Sequence, residues 1–237
     1  MISDRKYRAK LAHRGRGLAD LERLIGGVVA EVDAILARRA TARILEVGCG
    51  YGTALLELRA RYGERVDLHG LNRQAWDGNR DILLRNAADR GLEGILLPTL
   101  HYADVADGLP FPTATFDLVF SQVAWMYFSN KIAVLREILR VLDEGGVAKI
   151  DVDEMRPGLP PEYARLTEIW EAGRLVTLRE YASRFAMALS PAPDGEYLQF
   201  GRCPGFGDDL ELVCEIDLAR LYGEWNGIKC VYRVTTT

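Results

Sequence analysis

Between residues 18 and 39 apolar positions recur every three to four residues. Leu21, Leu24, Ile25, Val28, Val32, Ile35 and Leu36 line one face and charges take the other, which predicts an amphipathic helix. The period then changes. Arg43 to Val47 is a short aliphatic run that stops at Gly48-Cys49-Gly50-Tyr51-Gly52, and helical residues resume at Thr53 to Leu58, so the pattern reads as strand, glycine turn, helix. The same alternation continues with a strand over 66–71, a helix over 74–90 closed by Gly91, and a strand over 95–102 that ends at Asp104. A nearly all-apolar strand follows at 116–120, then a helix at 131–142 and a fifth strand at 147–152. Strands that alternate with helices predict an α/β protein with a parallel sheet.

Beyond residue 153 the rhythm is lost. A Pro-rich break precedes a helical region from Glu162 to about Leu189, and Ser190-Pro191-Ala192-Pro193-Asp194-Gly195 reads as a loop. Residues 210–218 and 228–235 read as an antiparallel pair that adds the last two strands to the sheet. The expected organisation is a single domain over 1–237. It has an N-terminal helical lid at 1–40, a core at 41–152, an insertion covering a pocket at 153–209, and the last two strands at 210–237.

Composition narrows the class. The 237 residues are 49% hydrophobic and 27% charged, enough for one sizeable core or two small ones, which excludes a disordered chain or a coiled-coil rod. No apolar run is long enough to span a bilayer, and the basic N-terminal segment lacks a signal-peptide core, so a cytoplasmic protein without a membrane partner is expected. The net charge of -4 argues against nucleic acid as the main partner. Cys49, Cys203, Cys214 and Cys230 show no paired spacing and His13, His69 and His101 are scattered, so no metal site is indicated.

A glycine turn between strand and helix lets a ligand approach the backbone and the free N–H groups of the helix start. The glycines here run GxGxG with Glu46 two residues before the first, and the third position of a dinucleotide fingerprint falls on Thr53. ILEVGCGYGTALLEL, then HGLN, then HYADVADGLPFPTATFDLVFSQ, then AVLREILRVLDEGGVAKI resembles, in order, the motifs of class I S-adenosylmethionine-dependent methyltransferases. The resemblance covers about residues 40 to 152. It implies a Rossmann-like, seven-stranded, mostly parallel sheet with an antiparallel C-terminal strand, helices on both faces and a helical lid. The implied cofactor is S-adenosylmethionine, with S-adenosylhomocysteine as product.

Carried over by position, the resemblance makes Glu46 the carboxylate for the methionyl ammonium. It places Gly48, Cys49, Gly50 and Gly52 against the amino acid and ribose, and gives the adenine to Asp104 and Val105. Ser121 and Gln122 fall where the family places the sulfonium. Asn72, followed by Arg73, stands where the family usually has an acidic residue for the ribose hydroxyls. An amide accepts one hydroxyl and donates to another, so ribose binding is still expected there.

Methyl transfer is an in-line displacement that needs alignment, and a base only where the acceptor keeps its proton. Relatives often carry histidines after the fourth strand, but here the matching residues are Met126 and Tyr127. Trp125 and Met126, with Tyr7 from the lid and Arg202 from a late loop, are the candidate substrate pocket; Tyr127, Tyr51 and His13 are the candidate catalytic groups. Asp151, Asp153 and Glu154 cluster at the end of the fifth strand, but a metal site there lacks further ligands. The expected function is methylation of an oxygen, nitrogen or carbon of a small metabolite, with natural-product intermediates among the acceptors considered. An RNA or protein acceptor and a non-methylating relative that catalyses cyclisation or rearrangement are the alternatives, and a homodimer is left open.

Overall fold

A computed structural model describes residues 3–152, 154–155, 158–222 and 227–235. Three helices come first: α1 (Asp4–Arg14), α2 (Leu18–Leu24) and α3 (Val28–Leu36). The single helix expected over 18–39 is broken at Gly26 and Gly27, whose φ of +53° and +64° no ordinary helical residue adopts. The parallel core is β1 (Ala42–Val47), α4 (Thr53–Tyr62), β2 (Val66–Asn72), α5 (Arg80–Asp89), β3 (Thr99–Tyr102), β4 (Phe116–Ser121), α6 (Lys131–Val141) and β5 (Leu142–Asp151). Every residue of β4 is buried, as a central strand covered on both faces requires.

After the core come α7 (Pro161–Ala164), β6 (Thr167–Glu171), β7 (Arg174–Val176), α8 (Leu178–Ser183), β8 (Ala188–Ala192), β9 (Gly195–Phe200), β10 (Leu210–Asp217), α9 (Leu218–Tyr222) and β11 (Ile228–Val234). The main sheet has seven strands in the order β3-β2-β1-β4-β5-β9-β8. Strands β1 to β5 are parallel, and β9 is antiparallel to both of its neighbours. The expected seven-stranded sheet is therefore present, but its last two strands are 188–192 and 195–200. Residues 210–217 and 228–234 do pair antiparallel, yet they belong to a second sheet of order β10-β11-β6-β7. Much of the region expected to be helical, 162–189, supplies β6 and β7 to that sheet, with only short helices around them.

Helices α2, α3 and α4 share one apolar cluster with Ile44, Leu68, Leu118 and Phe120 on one face of the main sheet. On the other face, Leu45, Val47, Val119, Ala148 and Ile150 pack with α6, α8 and the second sheet. The expected lid thus reduces to α1, because α2 and α3 bury Leu21, Ile25, Val28, Val32 and Ile35 in the core.

Candidate active site

All five parallel strands end at one edge, where the connections after β1, β2 and β4 meet. The glycine turn after β1 uses left-handed conformations, with φ of +78° at Gly48, +53° at Gly50 and +70° at Gly52. It is packed so closely that an added Cβ would lie 2.6 Å from Ala124 at Gly48 and 2.7 Å from the Arg14 carbonyl at Gly50. Cys49 is buried with its sulfur against Gly70. Burial, with Glu46 nearby, raises its thiol far above the usual range, so it acts as packing.

Glu46 decides what this edge can bind. Its side chain is 1% exposed, and Oε1 accepts a 2.9 Å hydrogen bond from Gln122 Nε2. Oε2 has no partner, and neither does the buried Oε1 of Gln122. Burial pushes the Glu46 carboxyl up to about 8, against the opposing Gln122 bond. Two buried acceptor atoms without donors, beside a backbone that admits no side chain, fit a cationic group with several N–H bonds such as the methionyl ammonium.

Asn72, expected to take ribose hydroxyls, is 3% exposed and engaged within the protein. Its amide oxygen accepts from Gly50 N–H at 2.8 Å, and its NH2 donates to the carbonyls of Gly50 and Gly78 at 3.0 and 3.2 Å. Asn72 therefore ties the glycine turn to the connection after β2. Gly78 is the partner that sequence reading missed. It stands inside a stretch expected to be helical, although α5 begins only at Arg80, capped by the Asn79 side chain on Ile82 N–H. The Gly-Asn dipeptide was the available signal. An added Cβ at Gly78 would sit 1.7 Å from the Gly50 carbonyl oxygen. Gly78→Ala is expected to cost more than about 3 kcal/mol, read from the urea midpoint.

Ser121 is fully buried and donates from Oγ to the Val47 carbonyl at 2.8 Å, joining β4 to β1 at the site. Asp104, two residues beyond β3, is half-buried and caps the following turn by accepting from Ala106 N–H at 3.2 Å. The Val105 side chain is buried in the core, and Arg73 is exposed.

The candidate acceptor-side residues are scattered. Tyr7 and Tyr51 stack at 5.5 Å between α1 and the glycine turn, and both hydroxyls are buried. Burial pushes Tyr7 up to about 12 and raises Tyr51, so neither suits a base at neutral pH. They are the joint between α1 and the turn, which Tyr51 N–H to Arg14 O at 2.8 Å and the Arg14–Asp77 ion pair at 2.6 Å also fasten. His13 is exposed in the last turn of α1. Trp125 is 1% exposed and donates from Nε1 to Glu154 at 2.7 Å, in a buried cluster with Thr167, so it is core rather than pocket wall. Met126 is half-buried against the same core, and Tyr127 is 48% exposed. Arg202 lies at the opposite edge of the main sheet, because β9 runs antiparallel to β5 and carries the chain away from the site. There it lines a separate cavity of about 200 Å³ with Arg136, Arg140 and Cys203. Asp151 and Glu154 are engaged with protein groups, and Asp153 lies outside the described residues.

A family profile described as a methyltransferase domain matches residues 45–150, which span β1 to β5. Over that stretch the chain is similar to a methyltransferase domain. The chain is 28% identical to aklanonic acid methyltransferase of Streptomyces sp. (strain C5) over 128 residues, 52% of this chain and 56% of that protein. It is 36% identical to dimethylglycine N-methyltransferase of Parasynechococcus marenigrum over 103 residues, 44% of this chain and 34% of that one. These matches span about half of the first relative's length and a third of the second's. Among solved structures, a candidate S-adenosyl-L-methionine-dependent methyltransferase from Methanococcus maripaludis matches at a TM-score of 0.52 and 15% identity. The match covers 86% of this chain and 97% of that one and shows the shared fold. Within the matched stretch, the Glu46–Gln122 pair and the Asn72 tie both lie at the edge where β1, β2 and β4 end. Among the described residues, no helix is long and apolar enough to cross a membrane.

Proposed function

We propose that the protein transfers a methyl group from S-adenosylmethionine to a small-molecule acceptor. The observation that carries this reading is the buried Glu46 carboxyl, hydrogen-bonded to Gln122 through one oxygen and without a partner at the other, next to an equally unpartnered oxygen on Gln122 itself, at the residue that precedes the glycine turn by two positions. In this reading Glu46 and Gln122 orient the ammonium end, the Gly48–Gly52 backbone lies along the amino acid and ribose, and Asp104 with Val105 borders the adenine. The cofactor supplies an electrophilic methyl on its sulfonium; this chain binds, aligns and excludes water around it. Because the Asn72 side chain is already used within the protein, ribose recognition falls to the backbone around it and to Arg73.

A small acceptor is supported by relatives named for aklanonic acid, dimethylglycine and 27-O-demethylrifamycin SV, and by the mildly acidic charge balance. On the acceptor side, exposed Tyr127, Met155 and Trp76 all follow strands that end at this edge, and they favour an acceptor with apolar surface. Tyr127 is the one candidate catalytic residue of the three that combines exposure with a place on a strand connection at this edge.

Calorimetry with S-adenosylhomocysteine and transfer of a labelled methyl group into candidate small molecules test the proposal. Wild-type protein is expected to bind the product in the micromolar range, and Asp104→Ala about tenfold more weakly. Absence of binding by the wild type would overturn the cofactor assignment. Binding with no methyl transfer to any small acceptor, but with transfer to RNA or protein, would overturn the acceptor class.

A further inference from the structure

The turn that closes β4 holds a conformation its own residue disfavours. Val123 has φ of +54°, a left-handed value that is an outlier for a β-branched side chain. Its neighbours carry the contacts that shape the cofactor edge. Ser121 bonds the Val47 carbonyl, Gln122 bonds Glu46, and the Ala124 methyl lies 2.6 Å from the place a Cβ on Gly48 would occupy. Turn and glycine loop are thus in direct register at three successive points of β1 and its loop. Relaxing Val123 to negative φ would redirect the chain between Gln122 and Ala124 and break that register.

What opposes the relaxation comes from another strand. Asp151, the last residue of β5, is 5% exposed, and its Oδ2 accepts the Val123 N–H at 2.9 Å. A carboxylate accepting a backbone N–H is a charge-assisted bond, stronger than a neutral one. We infer that Asp151 is a positioning residue for cofactor binding: it holds Val123 in the left-handed conformation, and the turn in consequence keeps Gln122 on Glu46 and Ala124 under Gly48. This inference rests on the cofactor reading above. It also accounts for a carboxylate that sequence position alone would offer as a cation ligand.

The test compares Asp151→Ala, Asp151→Asn, Val123→Gly and the Val123→Gly/Asp151→Ala double variant. The readouts are calorimetric affinity for S-adenosylhomocysteine and hydrogen exchange of the residue 123 amide by NMR. Asp151→Ala is expected to weaken affinity about tenfold and to speed exchange at Val123. Asp151→Asn keeps an acceptor oxygen and should stay within about threefold of wild type. Glycine adopts φ of +54° unaided, so the double variant should bind within about threefold of Val123→Gly. Wild-type affinity in Asp151→Ala would overturn the inference, and so would an Asn variant as weak as the Ala variant or a double variant that recovers nothing. Should Asp151→Ala fail to fold, Asp151→Asn and the double variant carry the decision. A wild type that binds no S-adenosylhomocysteine defeats the cofactor reading, whereas a rapidly exchanging Val123 amide in wild type defeats the role of Asp151 itself.

Discussion

Binding of the cofactor or its product at pH 7 is expected to release close to one proton, and Glu46→Gln is expected to abolish that release while weakening binding about a hundredfold. The cause is the burial that pushes Glu46 up to about 8, so that most of the unliganded protein carries it protonated at pH 7. An ammonium beside it demands the carboxylate form, so binding and ionisation are linked. Calorimetry in buffers of different ionisation enthalpy counts the proton directly. Equal apparent enthalpies in all buffers would show that Glu46 does not meet the ligand's charge.

The same burial makes a statement about folding. Below pH about 4.5 the carboxyl is protonated in both the folded and the unfolded chain and contributes no pH dependence. Between about 4.5 and 8 the unfolded chain loses the proton while the folded one keeps it, so stability falls as pH rises. Above 8 the penalty levels off, at about 5 kcal/mol. Urea unfolding of unliganded protein should therefore show Glu46→Gln gaining on wild type between pH 5 and pH 8. Such a site trades stability for binding, which is common where a charge is kept ready for a ligand.

Replacing Asn72 by the acid that the family resemblance leads one to expect should harm the protein rather than improve ribose binding. One oxygen of Asn72→Asp still accepts the Gly50 N–H, but the other would face the Gly50 and Gly78 carbonyls, which now receive N–H bonds at 3.0 and 3.2 Å. Two lost donors and a carboxylate turned toward carbonyl oxygens are expected to cost about 2–4 kcal/mol at pH 8. The crowding favours the protonated acid, which can donate again, so part of the loss should return at pH 5. Product affinity should fall at least tenfold, because the glycine turn loses its tie to residue 78. An Asp variant that binds more tightly than wild type would mean that the side chain swings to the ribose and that the tie is dispensable.

The glycine turn and the all-apolar strands were legible from local pattern. Gly48, Gly50 and Gly52 need positive φ, and a strand buried on both faces has little choice but aliphatic residues. The assignment of the late strands was not. Pro191 made 190–195 read as a loop, yet proline is tolerated in an edge strand, and β8 is the edge of the main sheet. The stronger alternation at 210–217 and 228–234 signalled real strands without saying which sheet they join. Arg202 was misplaced with them, since the direction of β9 sets the edge at which the following loop emerges.

By itself, the sequence determined the strand–turn–helix order of residues 42–151 and the position of Glu46 before the glycines, because these depend on backbone preference and on short-range periodicity. Only the tertiary structure decided that one Glu46 oxygen lacks a donor, that Asn72 is spent on Gly50 and Gly78, and that Asp151 holds Val123. Each of these is a hydrogen-bond account between segments brought together by sheet pairing and turn packing, and whether a buried polar atom is satisfied is settled by those neighbours, not by the residue type alone.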